Sequence, residues 1–207
     1  MGNQLTFSGS GELDNGMNVS LSFVLDQGDD ETDTSTQSGN SPFDSHSVTV
    51  SMDGLGSLKF AGEGGDSAVA GMDGSAAGGM WDNFQAAADE PESGHSSNDM
   101  LSYALPTILD DLALAASYTP NGDGGANSST SFSATYTGVE GLTIAYGQGE
   151  DNKTTATADA TAWKVSYAYG PFTATATDLE YDHETATSSR DMSSMQVAYT
   201  VSDEISI

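Results

Sequence analysis

Along most of this chain apolar and polar side chains take turns, one for one, and that period of two restricts it to extended strands with two unlike faces. Leu5, Phe7, Gly9, Gly11 and Leu13 alternate with Gln4, Thr6, Ser8, Ser10 and Glu12. Asp14-Asn15-Gly16 follows, a tight-hairpin signal, because Asn and Gly accept the left-handed backbone that such a turn needs. Met17, Val19, Leu21, Phe23 and Leu25 then return, with Asn18, Ser20 and Ser22 on the other phase. An amphipathic helix would space its apolar residues three and four apart.

Nine later segments repeat the pattern. Their apolar phases begin at Val48, Leu58, Leu101, Leu112, Phe132, Leu142, Trp163, Phe172 and Met195, which makes eleven strands, and Glu204–Ile207 starts a twelfth. The connections sort by length. Tight turns near 14–16, 53–56, 106–110, 138–141, 170–171 and 202–203 alternate with polar loops near 27–46, 64–97, 120–128, 150–159 and 183–189. A soluble sandwich has no reason to sort them so. A membrane barrel does, since all links of one length class leave the bilayer on the same side. Segments of about 8–11 residues also suit a tilted crossing of the hydrocarbon layer. Tyr103, Tyr118, Tyr136, Tyr146, Tyr169 and Tyr199 lie toward segment ends on the apolar phase, where aromatic girdles belong. The fold class expected is all-β, an antiparallel transmembrane β-barrel.

Charge narrows the partners. Thirty-one acidic residues against 4 basic ones give a formal net charge of -27. Nucleic acid and anionic headgroups need Lys and Arg to neutralise phosphate, so both are excluded as partners. The acidity does not by itself imply disorder, because 7 Phe, 8 Tyr and 2 Trp recur in regular places. There is no cysteine for a disulfide or a thiolate metal site. No apolar run reaches the roughly 18 residues of a transmembrane helix, and Met1-Gly2-Asn3-Gln4 opens no leader. Lys59, Lys164 and Arg190 fall on the polar phase and Lys153 in a loop. On the lipid phase a basic residue would cost about 2–4 kcal/mol at the midplane.

Taken in order, the segments resemble the general Gram-negative porin family. Gly11-Glu12-Leu13-Asp14-Asn15-Gly16 and the strand after it are similar to an early porin hairpin. Gly54-Leu55-Gly56-Ser57-Leu58-Lys59-Phe60 resembles the strand leading into the inward-folded third loop. Ser102-Tyr103-Ala104-Leu105-Pro106, with the strand to Ala116-Ser117-Tyr118-Thr119-Pro120, resembles the strand pair after that loop. The resemblance spans nearly all of residues 1–207 as one domain. It implies a barrel of about 16 strands, commonly a homotrimer in the cell outer membrane, in contact with outer-membrane lipid and passing small hydrophilic solutes and ions. By that match the chain is expected to be an internal piece, lacking about one strand before residue 3 and about four after residue 201.

The resemblance makes residues 64–97 the constriction loop, with Met80–Ala88 as a short helix within it. Glu63, Asp66, Asp73, Asp82 and Glu90 are the candidate acidic side of the constriction, and Lys59 and Lys164 the candidate basic wall. A ring of carboxylates favours cations, so cation preference is expected. The plainer alternative is that these acids only keep an exposed loop soluble.

A different class is an acidic surface β-protein or adhesin-like module that binds calcium through Gln27–Asp33 and Asn121–Gly125. Neither stretch has the spacing of an EF-hand loop or of a calcium-binding β-helix repeat. An enzyme is disfavoured. His46, His95 and His183 are placed in loops far apart, and no nucleophile motif or phosphate-cradling glycine loop occurs. No catalytic residue, resident metal or cofactor is expected.

Overall fold

The computed structural model describes residues 5–25, 43–69, 96–97, 99–120, 128–151, 157–184, 189–202 and 205–206. Its strands are β1 (Leu5–Glu12), β2 (Asn18–Leu25), β3 (Phe43–Met52), β4 (Gly56–Ala61), β5 (Gly65–Asp66), β6 (Ser96–Ser97) and β7 (Met100–Ala104). They continue with β8 (Leu112–Thr119), β9 (Ser129–Val139), β10 (Leu142–Asp151), β11 (Ala158–Tyr169), β12 (Phe172–His183), β13 (Arg190–Ser202) and β14 (Ile205–Ser206). No helix occurs among the described residues. Met80–Ala88, expected as a short helix, lies outside them.

Twelve strands pair into one antiparallel sheet in the order β1-β2-β3-β4-β7-β8-β9-β10-β11-β12-β13-β14, while β5 and β6 form a separate ribbon between β4 and β7. The sheet is open, with β1 and β14 as its edges. Eleven strands and the start of a twelfth were expected, and the small last strand is that start. Because each strand pairs with its predecessor in the opposite direction, successive links leave at opposite rims. The short links 13–17, 53–55, 105–111, 140–141 and 170–171 therefore share one rim, and the strand ends that lead into the long links share the other.

The first hairpin closes as its residues dictate. Gly16 takes a left-handed φ of 80°, its N–H donates to Leu13 O at 2.9 Å, and the Met17 N–H donates to Asn15 Oδ1 at 3.1 Å. Gly141 turns β9 into β10 at φ 77°. A Cβ there would stand 2.3 Å from Ala168 O, so both conformation and space demand glycine.

Several strands outrun their expected lengths, reaching 12 residues in β11 and β12 and 13 in β13. Backbone pairing has no reason to stop where the apolar band stops, so the ladders continue into the polar segments above it. This corrects two residues expected in loops: His46 lies in β3 opposite Phe23, and His183 ends β12 opposite Ala158. His95 lies outside the described residues.

The sheet has one apolar and one polar face. All six tyrosines expected in the girdles are exposed on the apolar face, from Tyr103 at 37% to Tyr169 at 75%, beside Leu5, Leu21, Val48, Leu58, Phe132, Ile144, Trp163 and Val197. In water so wide an apolar surface would be a liability; against acyl chains it is the stabilising contact. Phe7 stacks on Phe23 with centroids 4.9 Å apart, and Phe172 meets Tyr199 at the same distance with its ring tilted by 50°.

Register gives the tilt. Tyr118 pairs with Thr130, but the next outward aromatic on β9, Phe132, lies two residues nearer the short-turn rim. Phe132 pairs with Gln148, and Tyr146 is again two residues nearer that rim, level with Trp163. An aromatic band at one depth thus slips four residues over three strand-to-strand steps. At about 3.3 Å per residue and 4.8 Å per strand the strands lean roughly 40–45° from the normal, the tilt of a transmembrane barrel wall.

Candidate functional site

The polar face carries the candidate site, and its rows can be followed across the register. One row runs Lys59, Ser102, Ser117, Ser131, Gly149, Ala160 and Tyr181. The row two residues nearer the short turns on these strands runs Ser57, Ala104, Ala115, Ser133, Gly147, Ala162, Leu179 and Met192. Thr135, Ala145, Lys164, Thr177 and Ser194 form the next. On β1–β3 the same face is hydroxylic, with Ser8 opposite Ser22 and Ser10 opposite Ser20, flanked by Ser47 and Thr49. Hydroxyls and amide edges suit a wetted wall, since water can take up every donor and acceptor left over.

Lys59 is exposed and Lys164 half-buried, both on this face. They are not brought together: five strand spacings separate them, about 24 Å along the sheet. Glu63 sits half-buried in the bend after β4, and Asp66 is exposed in β5, paired with Ser96. Asp73, Asp82 and Glu90 lie outside the described residues, as do both candidate calcium stretches. Among the described residues no group of three His, Asp or Glu is placed to hold a metal.

The stem of the long loop lies on the polar face. The Ala68 N–H donates to Ser117 Oγ at 3.1 Å and to Ser131 Oγ at 3.0 Å, and the two hydroxyls are 2.6 Å apart. Val69, fully buried, joins one apolar cluster with Ala145, Ala162, Leu179 and Met192 from β10 to β13. Residues 67–69 therefore lie against the wall instead of out in solvent. At its base Gly62 is buried and its N–H donates to His46 O at 2.9 Å. The His46 ring fills the place where a Gly62 side chain would go.

Sequence reasoning missed this seat. The polar phase there was small as well as polar: Ala158, Ala160 and Ala162 alternate on β11, as do Gly147 and Gly149 on β10. All three alanines are at most 4% exposed. A Cβ on Gly149 would come within 2.7 Å of the Ser131 Cβ. Small residues at every second position of a polar phase mark a wall that something packs against.

Most of the acidity of β10–β13 faces the other way. Glu150 pairs with Asp159 and Asp159 with Asp182, Glu180 pairs with Asp191, and Asp178 accepts a hydrogen bond from Ser193 at 2.6 Å. These side chains share the apolar face's phase but sit at or beyond the Trp163 rung, at the long-loop rim. The side chains described on the polar face in mid-wall include no carboxylate.

A tilted antiparallel wall with an acyl-facing side and a hydrophilic side, and the stem of a long loop laid against the latter, is the wall of an outer-membrane β-barrel. The sequence pattern of Gram-negative porins matches residues 1–207, and the chain belongs to that family. Its place is the outer membrane, and the family is one of channels rather than enzymes. The structure is similar to the anion-selective porin from Comamonas acidovorans, 12% identical, with a TM-score of 0.54 over 96% of this chain and 64% of that one. It is also similar to a triple mutant of Rhodopseudomonas blastica porin, 15% identical, with a TM-score of 0.48 over 98% of this chain and 81% of that one. The chain thus spans just under two thirds of the Comamonas porin's length. None of the curated proteins matches it.

Proposed function

We propose that this chain is wall and constriction of a water-filled channel through which small hydrophilic solutes and ions diffuse passively across the outer membrane. The observation that carries the reading is the loop stem seated on the hydrophilic side of a membrane wall, Ala68 on the two serines and Val69 in a buried apolar cluster. A loop so placed narrows whatever water path the wall encloses. The test is conductance in planar lipid bilayers together with swelling of vesicles in small sugars. Stepwise currents and size-dependent swelling are expected; protein that inserts and passes neither would sink the reading.

The finer reading is cation preference. Its support is the acidity of the loop, with Glu63 and Asp66 at its stem and Asp73, Asp82 and Glu90 further along, set against a wall whose cations include Lys59 and Lys164. Carboxylates near a constriction raise the local concentration of cations and repel anions. The Comamonas porin is anion-selective by name, but at 12% identity the likeness carries the fold and not the lining charges. Reversal potentials in a potassium chloride gradient decide. Potassium is expected to permeate better than chloride, and Glu63→Gln with Asp66→Asn to move the ratio toward unity; a chloride preference in the native protein would overturn the assignment. We further propose a homotrimer, the habit of the family, which light scattering in detergent tests directly.

A further inference from the structure

We infer that Ser117, Ser131 and the socket around Val69 are positioning residues that hold the long loop's stem against the wall and so set the width of the water path. The inference rests on the channel reading above for its consequence, though not for its geometry. A backbone N–H facing a wall needs an acceptor, and Ala68 finds two, on adjacent strands and in direct register. The pair is itself hydrogen-bonded and buried, so the two hydroxyls present one fixed acceptor site instead of two rotating ones. The next residue, Val69, is fully buried and belongs to one apolar cluster with Ala145, Ala162, Leu179 and Met192. Ala162 is wholly buried and Ala145 nearly so, so a larger side chain at either position would compete for the space of this cluster. A polar clamp followed at once by an apolar plug fixes both the height of the stem on the wall and its direction across it.

The native chain has no cysteine, so Val69→Cys supplies a unique thiol. Its labelling by a water-soluble maleimide is compared with that of Glu140→Cys, in the exposed β9–β10 turn. A seated stem should protect residue 69 by about tenfold or more, the protection falling when local opening becomes easier. Ser117→Ala with Ser131→Ala leaves the Ala68 N–H without its acceptors and should speed that labelling about tenfold. Ser117→Thr with Ser131→Thr keeps both oxygens and should restore protection. Ala162→Leu, which fills the socket, should expose residue 69 by the other route. In bilayers without the cysteine, the alanine pair and Ala162→Leu should shift the single-channel conductance, and the threonine pair should not. Labelling of Val69→Cys as fast as Glu140→Cys would overturn the inference, as would an alanine pair with native protection and native conductance. Protection without current in any variant would sink the channel reading and leave the clamp standing.

Discussion

Neighbouring residues of one strand live in different solvents, and β11 puts this most sharply. Val165 is half-buried in the acyl-facing row between Trp163 and Tyr167, while Lys164 and Ser166 face the hydrophilic side. Ser166 Oγ lies 3.0 Å from Thr175 Oγ1. An arginine at 165 would have to shed its hydration or drag water into the bilayer, whereas one at 166 would stay wet. We expect Val165→Arg to destabilise the membrane-folded protein by about 2–4 kcal/mol. Ser166→Arg should cost well under half of that, measured as urea unfolding from lipid vesicles. Equal costs at both positions would mean that the two faces are not differently solvated. This alternation was fully legible in the sequence, because a strand leaves a side chain only two directions and each solvent accepts only one class of residue. The Val69 seat was not, because alanine and glycine belong to neither class.

For a single strand the informative quantity is its lean. The girdle residues Tyr103, Tyr136 and Tyr167 mark the short-turn side, and Tyr118, Phe132, Tyr146 and Trp163 the other. Both series slip along the register in the same sense from strand to strand. Polarised infrared dichroism of the amide bands in oriented bilayers should therefore give a mean strand tilt of roughly 35–45°. A tilt near zero would contradict the membrane depth assigned to those aromatics. Strand existence and the sorting of turns by rim were readable in advance, since hairpin signals such as Asp14-Asn15-Gly16 fix where chain direction reverses. Strand ends were not. His46 and His183 look like loop residues because they are polar, yet ladder hydrogen bonds carry β3 and β12 past the bilayer into water, where polarity no longer opposes a strand.

At the scale of the molecule, with its net charge of -27, the described carboxylates of β10–β13 are distributed by solvent. At the long-loop rim Glu150, Asp159, Glu180, Asp182 and Asp191 stay exposed in water, clear of the acyl-facing rows of Ile144, Val165 and Ala176. The count of acids was plain in the sequence, and their separation from the mid-wall emerged only from the register. Of the expected constriction residues, Lys59, Lys164, Glu63 and Asp66 occupy the wall and the loop's base, while the apolar-and-hydroxyl seat beside them carries no charge to advertise it. Everything turns on one wall having oil on one side and water on the other. Nitroxide labels placed singly at residues 162–167 of β11 in lipid vesicles measure this directly, through collision with oxygen, which concentrates in acyl chains, and with a water-soluble nickel chelate. Oxygen access should peak at 163, 165 and 167 and stay low at 162, 164 and 166, with nickel access at 164 and 166 above that of their neighbours. Access to nickel at all six positions, or a maximum recurring every three to four residues, would contradict a membrane-spanning strand and the channel built upon it.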